Sequence, residues 1–295
     1  MEPTGAPSQA HEGRLAIIAG RGQLPVYLAE AARDAGEDPL ILALANEGDG
    51  RFDGFETIHV GVGDLAQIQT RLRDGGIARV VMSGGVARRP DLRDIRPTFK
   101  TLIKVPSVVR TLMSGGDDTV LQMVIKLIEA MGCRVIGAHQ IAPGLLARTG
   151  PLGRTRPGDD DRRDIEKAVE AAQLLGRLDI GQGAVSVGGR VVALEGVEGT
   201  DQMLLRVAEL RKAGRISARR RGVLVKLSKP QQDMRADLPT IGLSTLENAK
   251  AAGLAGIAVE AGRALVLDEA ALIAAADAAG LFVVGIDLEL DGRGA

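Results

Sequence analysis

The sequence is poor in the residue types that build nucleic-acid platforms and disulfide frameworks. Aromatic residues make up 2% of the 295 residues and tryptophan is absent, so a stacking platform for single-stranded nucleic acid is not expected. The formal net charge of -1 gives no general attraction to nucleic acid either. The single cysteine, Cys133, cannot form an internal disulfide and is predicted to be a buried thiol in a reducing compartment.

Long apolar runs are also absent. No stretch of about 18 uncharged apolar residues occurs, so no membrane-spanning helix is predicted. The nearest candidate, residues 270–286, is interrupted by Asp277, Gly280 and Gly285, and predicts a helix, a glycine break and a buried strand. Residues 1–13 lack the basic-then-apolar order of a secretory signal and are predicted to be a disordered extension. A cytoplasmic protein is therefore expected.

Short apolar runs that alternate with helical patterns predict an α/β fold with two domains. Residues 14–147 are predicted to form an N-terminal Rossmann-like domain with a mainly parallel sheet, which includes helices at 98–113 and 117–131. Residues 148–163 are rich in glycine, proline and charge, and are predicted to be a linker. Residues 164–295 are predicted to form a second, mixed α/β domain that carries the catalytic residues.

Three local signals in the second half predict particular elements. A helix is expected from Asp164 to Leu175. Gly188 and Gly189 separate two apolar runs and predict a β-hairpin, because both turn positions favour a positive φ. Ser244, with Glu247 three residues later, resembles a capping box that opens a helix.

Two glycine-containing loops follow predicted strands of the N-terminal domain. The first contains Gly20, Arg21 and Gly22, and the second contains Gly84, Gly85 and Val86. Backbone N–H groups and the dipole of a following helix favour a phosphate at such a loop. Pro25 stands where a dinucleotide fingerprint has its third glycine, so a turn without a ligand is the alternative for the first loop. Because ligands gather at the carboxyl ends of parallel strands, the two loops together favour a shared nucleotide site.

Other polar residues of the first domain have simpler interpretations. Asp117 is expected to cap the helix that it opens, whereas Asp118 is the better candidate for a contact with a ribose hydroxyl or a hydrated cation. His139 lies just past a strand and is expected to be a hydrogen-bonded structural residue rather than a catalytic one. The sequence has no Cys/His cluster of the kind that binds zinc and no serine in a G-x-S-x-G motif.

The second half holds a denser set of polar residues around its first strands. Gln182 precedes one predicted strand, and the segment after the hairpin contains Glu195, Glu198, Gly199, Thr200 and Asp201. A helix cap at Thr200 or Asp201 is the simplest interpretation. Four acids and hydroxyls beside strand-end glycines are more than a cap requires, which favours ligand binding.

Residues 226–242 form the most informative segment. They present two lysines, an arginine and two aspartates: Lys226, Lys229, Arg235, Asp233 and Asp237. Hydrolysis of a pyrophosphate needs this mixture, because cations offset charge on the phosphate oxygens while a carboxylate holds magnesium or the attacking water. A solvated loop is the alternative.

The stretch from Arg211 to Arg221 contains six cationic residues and no acid. A solvated helix face is the usual meaning of such a run. Contact with anionic lipid headgroups is the alternative, worth on the order of 1 kcal/mol per charge.

From Arg14 to Asp287 the chain resembles the UDP-2,3-diacylglucosamine pyrophosphatases of bacterial lipid A synthesis, in the family distinct from the calcineurin-like enzymes of the same step. The resemblance is carried by the strings at residues 176–185 (GRLDIGQGAV), 198–201 (EGTD) and 235–242 (RADLPTIG). It implies attack of water on the α-phosphorus of the UDP group, with release of UMP and 2,3-diacylglucosamine 1-phosphate and with Mg²⁺ as cofactor.

The resemblance also implies roles for particular residues. Asp237 corresponds to the essential aspartate of the family and is the expected catalytic residue and metal ligand, with Asp233 as a second ligand. Arg21 interrupts a first loop that often reads Gly-Gly-Gly in the family. Substrate contacts are expected from Gly20, Arg21, Gly22, Gly84, Gly85, Val86, Asp118, Gln182, Glu198, Gly199, Thr200, Asp201, Lys226 and Lys229. A homodimer and transient contact with the anionic inner-membrane surface, from the cytoplasmic side, are expected as well.

Two other functions are compatible with parts of the pattern. The strand, glycine loop and helix at the start suggest an NAD(P)-dependent oxidoreductase, against which Pro25 and the lack of a well-placed acid about 20 residues later both count. A non-catalytic carrier of a nucleotide or glycolipid is the other alternative.

Overall fold

The structure, a computed structural model, describes residues 13–86 and 117–288, with side chains for all of these except Asp117 and Asp118. The described residues divide into two compact units. The first comprises residues 13–86 and 119–142, and the second comprises residues 143–288 together with 117 and 118. The predicted extension, apart from Gly13, and the predicted helix at 98–113 lie outside the described residues.

The first unit contains a five-stranded sheet in which every pairing is parallel, with the order β3-β2-β1-β4-β5. Its elements are β1 (Arg14–Ala19), α1 (Leu24–Asp34), β2 (Leu40–Leu44), β3 (Thr57–Val60), α2 (Leu65–Asp74), β4 (Ile77–Ser83), α3 (Asp117–Ala130), β5 (Arg134–Ile136) and α4 (Ala138–Ile141). The strand order reverses between β1 and β4, as in the first five strands of a doubly wound sheet. The carboxyl ends of β1 and β4 therefore lie side by side.

The strands of this sheet follow from the sequence to different degrees. β1 and β2 are runs of apolar residues that are buried almost throughout, as expected for central parallel strands with both faces covered. β3 was not predicted, because its four residues include Thr57 and His59 and, among the described strands, it lies at an edge and pairs with β2 alone. Helix α2 begins where Asp64 accepts a hydrogen bond from the backbone N–H of Gln67 (3.0 Å).

The second unit contains a mixed six-stranded sheet and a small two-stranded one. Its elements are a short 3₁₀ turn (Pro143–Leu145), β6 (Gly150–Pro151), α5 (Asp159–Arg177), β7 (Gly183–Val187), β8 (Arg190–Leu194), α6 (Gly199–Lys212), β9 (Val223–Lys226), β10 (Thr240–Ile241), α7 (Leu243–Ala251), β11 (Gly256–Glu260), β12 (Leu265–Val266), α8 (Glu269–Ala279) and β13 (Phe282–Ile286). The large sheet has the order β6-β13-β11-β9-β7-β8. Strands β9, β11 and β13 are parallel, whereas β6 and β7 run antiparallel to their neighbours.

Helices cover both faces of the large sheet. In β9, Leu224 belongs to one core cluster, which includes residues of α6, α7 and α8. Its neighbours Val223 and Val225 belong to the other cluster, which includes residues of α5. This alternation follows from the period of two along a strand. The predicted fold class, a mainly parallel α/β domain followed by a mixed α/β domain, is confirmed.

Two predicted boundaries differ from the structure. Residues 148–163, predicted as a linker, include strand β6, which pairs with β13, and the first turn of α5. The helix starts at Asp159 because three aspartates in its first turn are favoured by the helix dipole, and Asp161 accepts the N–H of Gly158 (2.9 Å). The dense charge that suggested a loop is therefore a helix start.

Of the two short-range motifs predicted in the second unit, the hairpin is present and the capping box is not. The hairpin is confirmed, with φ of 66° at Gly188 and 77° at Gly189. The predicted capping box at Ser244 is wrong, because α7 begins at Leu243 and Gly242 takes the cap position without a side-chain hydrogen bond.

Candidate active site

One edge of the large sheet in the second unit brings together three of the predicted polar segments. Strands β9 and β11 end at Lys226 and Glu260, and the antiparallel strand β7 begins beside Lys226, at Gly183. The loop after β9, the loop between α5 and β7 and the loop between β8 and α6 therefore start or end at this edge. We refer to residues 227–239, which follow β9, as the acidic loop.

The beginning of the acidic loop is fixed by a carboxylate at the end of β11. One oxygen of Glu260, Oε2, accepts both the backbone N–H (2.9 Å) and the hydroxyl (2.7 Å) of Ser228. Arg263 donates from Nε to the same hydroxyl oxygen (2.7 Å) and lies 3.3 Å from Oε1 of Glu260. The loop therefore leaves the sheet in a defined direction.

The next anchor joins the acidic loop to the end of α5. The ammonium of Lys229 lies 2.5 Å from Oδ1 of Asp179, and these two side chains are only 12% and 17% exposed. The backbone N–H of Lys229 donates to Oε1 of Gln232 (2.9 Å), and the amide nitrogen of Gln232 donates to the backbone carbonyl of Asp237. Asp237 is exposed, so its side chain meets solvent while its backbone is held by the loop.

The second aspartate of the loop is engaged by an arginine. Asp233 accepts hydrogen bonds from the backbone N–H of Arg235 (2.9 Å) and from its guanidinium (2.7 Å from Nη2 to Oδ2). The hydrogen bond from this guanidinium lowers the pKa of Asp233 below its usual range. The carboxylate of Asp233, which was predicted to bind a metal, thus forms an ion pair with Arg235.

A buried glutamate organises the residues beside this loop. Glu195 is 7% exposed, and its Oε1 accepts the hydroxyl of Thr200 (2.7 Å) while its Oε2 accepts the backbone N–H of Gln182 (3.4 Å). The side-chain oxygen of Gln182 is buried and has no hydrogen-bond partner among the described residues. Lys226 is buried too, and its ammonium donates to the carbonyl of Thr240 (3.1 Å). Glu195 was not among the substrate contacts predicted from the sequence, because no local sequence pattern indicates that an acid at the end of a strand is buried.

The other predicted binding residues of this region make surface contacts. Glu198 pairs with Arg206 (2.9 Å), and Asp201 accepts a hydrogen bond from Asn248 (3.0 Å). Helix α6 begins at Gly199 without a side-chain cap, so neither Thr200 nor Asp201 is the capping residue considered above.

In the first unit, the two glycine loops are hydrogen-bonded to each other. Gly20 donates to the carbonyl of Ser83 (2.8 Å), and Arg21 and Gly85 exchange two backbone hydrogen bonds (2.8 and 3.0 Å). A Cβ atom on Gly20 would lie 2.4 Å from the carbonyl oxygen of Gly85, so only glycine permits this approach. The expectation that both loops lie together agrees with this geometry.

These contacts change the expected mode of anion binding. The N–H groups of Gly20, Arg21 and Gly85 serve the bridge between the loops, and that of Gly22 donates to Asp49 (2.8 Å). A backbone phosphate cradle from these four groups is therefore not available. The first loop still offers an anion the guanidinium of Arg21, which is half-exposed and lies 2.9 Å from Glu47.

Two further predictions concern the edge of the first sheet. Val86 is exposed, and the side chain of Asp118 lies outside those described. Nδ1 of His139 and the hydroxyl of Ser83 are buried and have no hydrogen-bond partner among the described residues, so no bond at this nitrogen supports the prediction of a hydrogen-bonded His139. Burial lowers the pKa of His139, because a buried ring favours its uncharged form.

The basic stretch that begins in the last turn of α6, at Arg211, is partly structural. Arg211 donates to the backbone carbonyls of Ala252, Ser217, Arg220 and Arg221, and Arg221 donates to those of Leu254 and Gly280. The stretch leads into the start of β9, so it lies at the opposite edge of the sheet from the acidic loop. Two of the six cations therefore hold the fold together.

Among the residues that the structure describes, no group of three or more His, Cys, Asp and Glu side chains is arranged to hold a metal. Within the same residues, no helix combines the length and the apolar character needed to cross a bilayer.

The fold and the acidic loop define a two-unit α/β protein in which acids and cations gather beside strand ends. Residues 14–145 match the family model described as the LpxI N-terminal domain, and residues 148–284 match the LpxI C-terminal domain. The UDP-2,3-diacylglucosamine pyrophosphatase LpxI of Caulobacter vibrioides is 44% identical over 275 residues, which span 93% of this chain and 98% of that protein. The chain belongs to the LpxI family, and the family assignment made from the sequence is confirmed.

Proposed function

We propose that this protein hydrolyses the pyrophosphate of UDP-2,3-diacylglucosamine to UMP and 2,3-diacylglucosamine 1-phosphate in lipid A synthesis. The observation that carries the proposal is the 44% identity, over almost the whole chain, to a protein named for that activity. The acidic loop supports it, because the exposed carboxylate of Asp237 and two cations, Lys229 and Arg235, lie on a segment whose start is held by Glu260 and Asp179.

The proposed role of Asp237 is to orient the attacking water and to accept its proton as the new phosphorus–oxygen bond forms and the bridging one breaks. A positioned base typically contributes about 10²–10⁴-fold to a rate. The backbone of Asp237 is held by Gln232, which fits a group that must be aimed at a reacting atom. Its exposure leaves room for a ligand at the loop surface.

The proposed role of Lys229 is to offset negative charge on the phosphate oxygens. An ammonium has three N–H donors, of which one serves Asp179, so others remain for a ligand. Lys226 is buried and bonded to the carbonyl of Thr240, which supports a role in shaping the loop rather than a direct contact. Gln182 and Thr200, both tied to Glu195, are proposed to line the same site.

Magnesium fits this loop as an ion shared with the substrate. Mg²⁺ is usually held by one or two carboxylates together with phosphate oxygens rather than by an all-protein cage. Asp237, which is exposed, would be the carboxylate that holds it, as the family resemblance implies, with Asp233, which is paired with Arg235, as the second expected ligand. When bound, the ion would supply further neutralisation of phosphate charge.

We also propose that the protein contacts the cytoplasmic face of the inner membrane. Leu178 is 71% exposed, Val197 is fully exposed, and Ile180 is half-exposed. The loops that carry them pack together, since Gln182 contacts Glu195, and they lie at the edge of the sheet that bears the acidic loop. Aliphatic side chains at this edge suit a substrate with two acyl chains, and flotation with anionic phospholipid vesicles tests the contact. The homodimer remains a prediction, and the molar mass measured by light scattering tests it.

Phosphorus NMR of the protein with UDP-2,3-diacylglucosamine, detergent and magnesium tests the proposed reaction. Hydrolysis replaces the two pyrophosphate resonances by two phosphomonoester resonances, whereas a carrier leaves the pyrophosphate intact. In H₂¹⁸O, label recovered in UMP agrees with attack on the α-phosphorus, and label recovered in the glycolipid phosphate contradicts it. Tight binding of NAD(P) with no hydrolysis would support the oxidoreductase alternative instead.

A further inference from the structure

The end of helix α5 carries an aspartate at a position that normally belongs to glycine. The N–H of Ile180 bonds to the carbonyl of Leu175 (3.1 Å), and the N–H of Asp179 bonds to that of Gly176 (3.1 Å). This is the Schellman arrangement, in which the residue after the cap adopts a left-handed conformation. Asp179 does so with φ of 53°. Glycine would adopt this conformation without the steric penalty that a Cβ atom brings.

The side chain of Asp179 accounts for this departure from the usual residue. Its Oδ1 lies 2.5 Å from the ammonium of Lys229, 50 residues away in the chain. Both side chains are largely buried, so the pair is shielded from solvent more than an ordinary surface ion pair. The left-handed backbone of Asp179 carries a steric cost, and the ion pair with Lys229 offsets it. The carboxylate of Asp179 therefore matters at this position.

The contacts of Lys229 connect this carboxylate to Asp237. The backbone N–H of Lys229 is bonded to the side-chain oxygen of Gln232, whose amide nitrogen bonds to the carbonyl of Asp237. The helix end and the loop are also in close contact, since a Cβ atom on Gly176 would lie 3.1 Å from Cδ of Pro230. The position of the Asp237 backbone thus depends on where Lys229 is held.

We propose that Asp179 is a positioning residue, which sets the acidic loop and the Lys229 ammonium for hydrolysis without touching the substrate. The proposal rests on the hydrolytic function proposed above for Lys229 and Asp237. The sequence marks Asp179 only as a member of the string at residues 176–185, and its pairing with Lys229 could not be predicted because the two residues lie 50 positions apart.

Two substitutions separate the carboxylate from the backbone conformation. Asp179→Gly relieves the left-handed backbone and removes the carboxylate, while Asp179→Asn keeps a side chain of the same size that tolerates this conformation. We expect both variants to remain folded, and kcat to fall by roughly tenfold to 10²-fold, the range that a small misplacement of reacting groups can produce. KM should change much less, because Asp179 does not contact the substrate.

A double-variant comparison tests whether Asp179 acts through Lys229. The expected result is that Asp179→Asn combined with Lys229→Met turns over no more slowly than Lys229→Met alone. Glu170→Gln, which removes the carboxylate of an exposed ion pair with Lys167 on the same helix, is the matched control and should keep wild-type kcat.

Three outcomes decide the matter. Wild-type kcat in both Asp179 variants overturns the proposal, and so does a rate loss that multiplies with that of Lys229→Met. A rate loss explained by a lower melting temperature in Asp179→Asn, with full activity in Asp179→Gly, would assign Asp179 a purely structural role. Absence of hydrolysis in the wild-type protein itself would instead contradict the proposed function.

Discussion

Replacement of Asp164 by alanine is expected to destabilise the second unit without slowing the molecules that remain folded. Asp164 is 3% exposed, and its carboxylate accepts three hydrogen bonds: from the hydroxyl of Ser186 (2.7 Å) and from the N–H groups of Gly188 (2.9 Å) and Gly189 (2.6 Å). It therefore fastens the β7–β8 hairpin to helix α5. Its removal leaves a fully buried hydroxyl and two turn amides without their acceptor.

The size of the effect follows from those three donors. A buried donor left without a partner costs about 1–3 kcal/mol, and a hydrogen bond to a charged group contributes about 1.5–3 kcal/mol. The turn amides are half-exposed and regain water, so we expect a total loss of about 3–5 kcal/mol in the free energy of unfolding. Ser186→Ala removes one donor and leaves the carboxylate two partners, so it should cost only about 1 kcal/mol.

Urea titration followed by circular dichroism measures both variants, and steady-state hydrolysis measures kcat on the same samples. The hairpin turn lies roughly 16 Å along β7 from the acidic loop, so kcat per folded molecule should equal that of the wild type. A loss for Asp164→Ala no larger than that for Ser186→Ala would refute the reasoning. A specific loss of kcat in fully folded Asp164→Ala would show that the hairpin end and the loop are coupled.

Three further predictions concern the acidic loop and the first unit. Because Arg235 lowers the pKa of Asp233, the ion pair stabilises the fold above the unfolded pKa of about 4, and this contribution is lost as the pH falls through the folded pKa. Arg235→Met should therefore lower the free energy of unfolding by up to about 1 kcal/mol at pH 7 and by less near pH 3. An equal loss at both pH values would contradict this. Removal of divalent ions by a chelator should abolish hydrolysis and added magnesium should restore it, whereas full activity in the chelator would exclude magnesium from the site. Gly20→Ala should lower the melting temperature, because its Cβ atom would lie 2.4 Å from the Gly85 carbonyl, and an unchanged melting curve would show that the loops separate easily.

Local patterns sufficed for much of the fold. Buried strands such as β1 and β9 are short apolar runs, and the Gly188-Gly189 turn carries its own conformational preference, so both could be predicted. The start of α5 could not be placed, because three successive aspartates resemble a solvated loop unless their interaction with the helix dipole is considered.

The candidate site could be predicted only as a set of residue types. The segment around Asp233 and Asp237 stood out because it places these two acids close to two lysines and an arginine. Its partners did not, because the pairing of Lys229 with Asp179 joins residues 50 positions apart. Burial of Glu195 likewise depends on how the β8–α6 loop packs against Gln182, which no local pattern specifies.

The turnover of Asp237→Asn tests the central claim most directly. This substitution keeps the size of the side chain and the backbone contact from Gln232 while it removes the negative charge. With UDP-2,3-diacylglucosamine in detergent, we expect the variant to melt and to bind substrate as the wild type does, and to lose on the order of 10²-fold or more in kcat by phosphorus NMR. Hydrolysis by Asp237→Asn at a rate near that of the wild type would contradict the account.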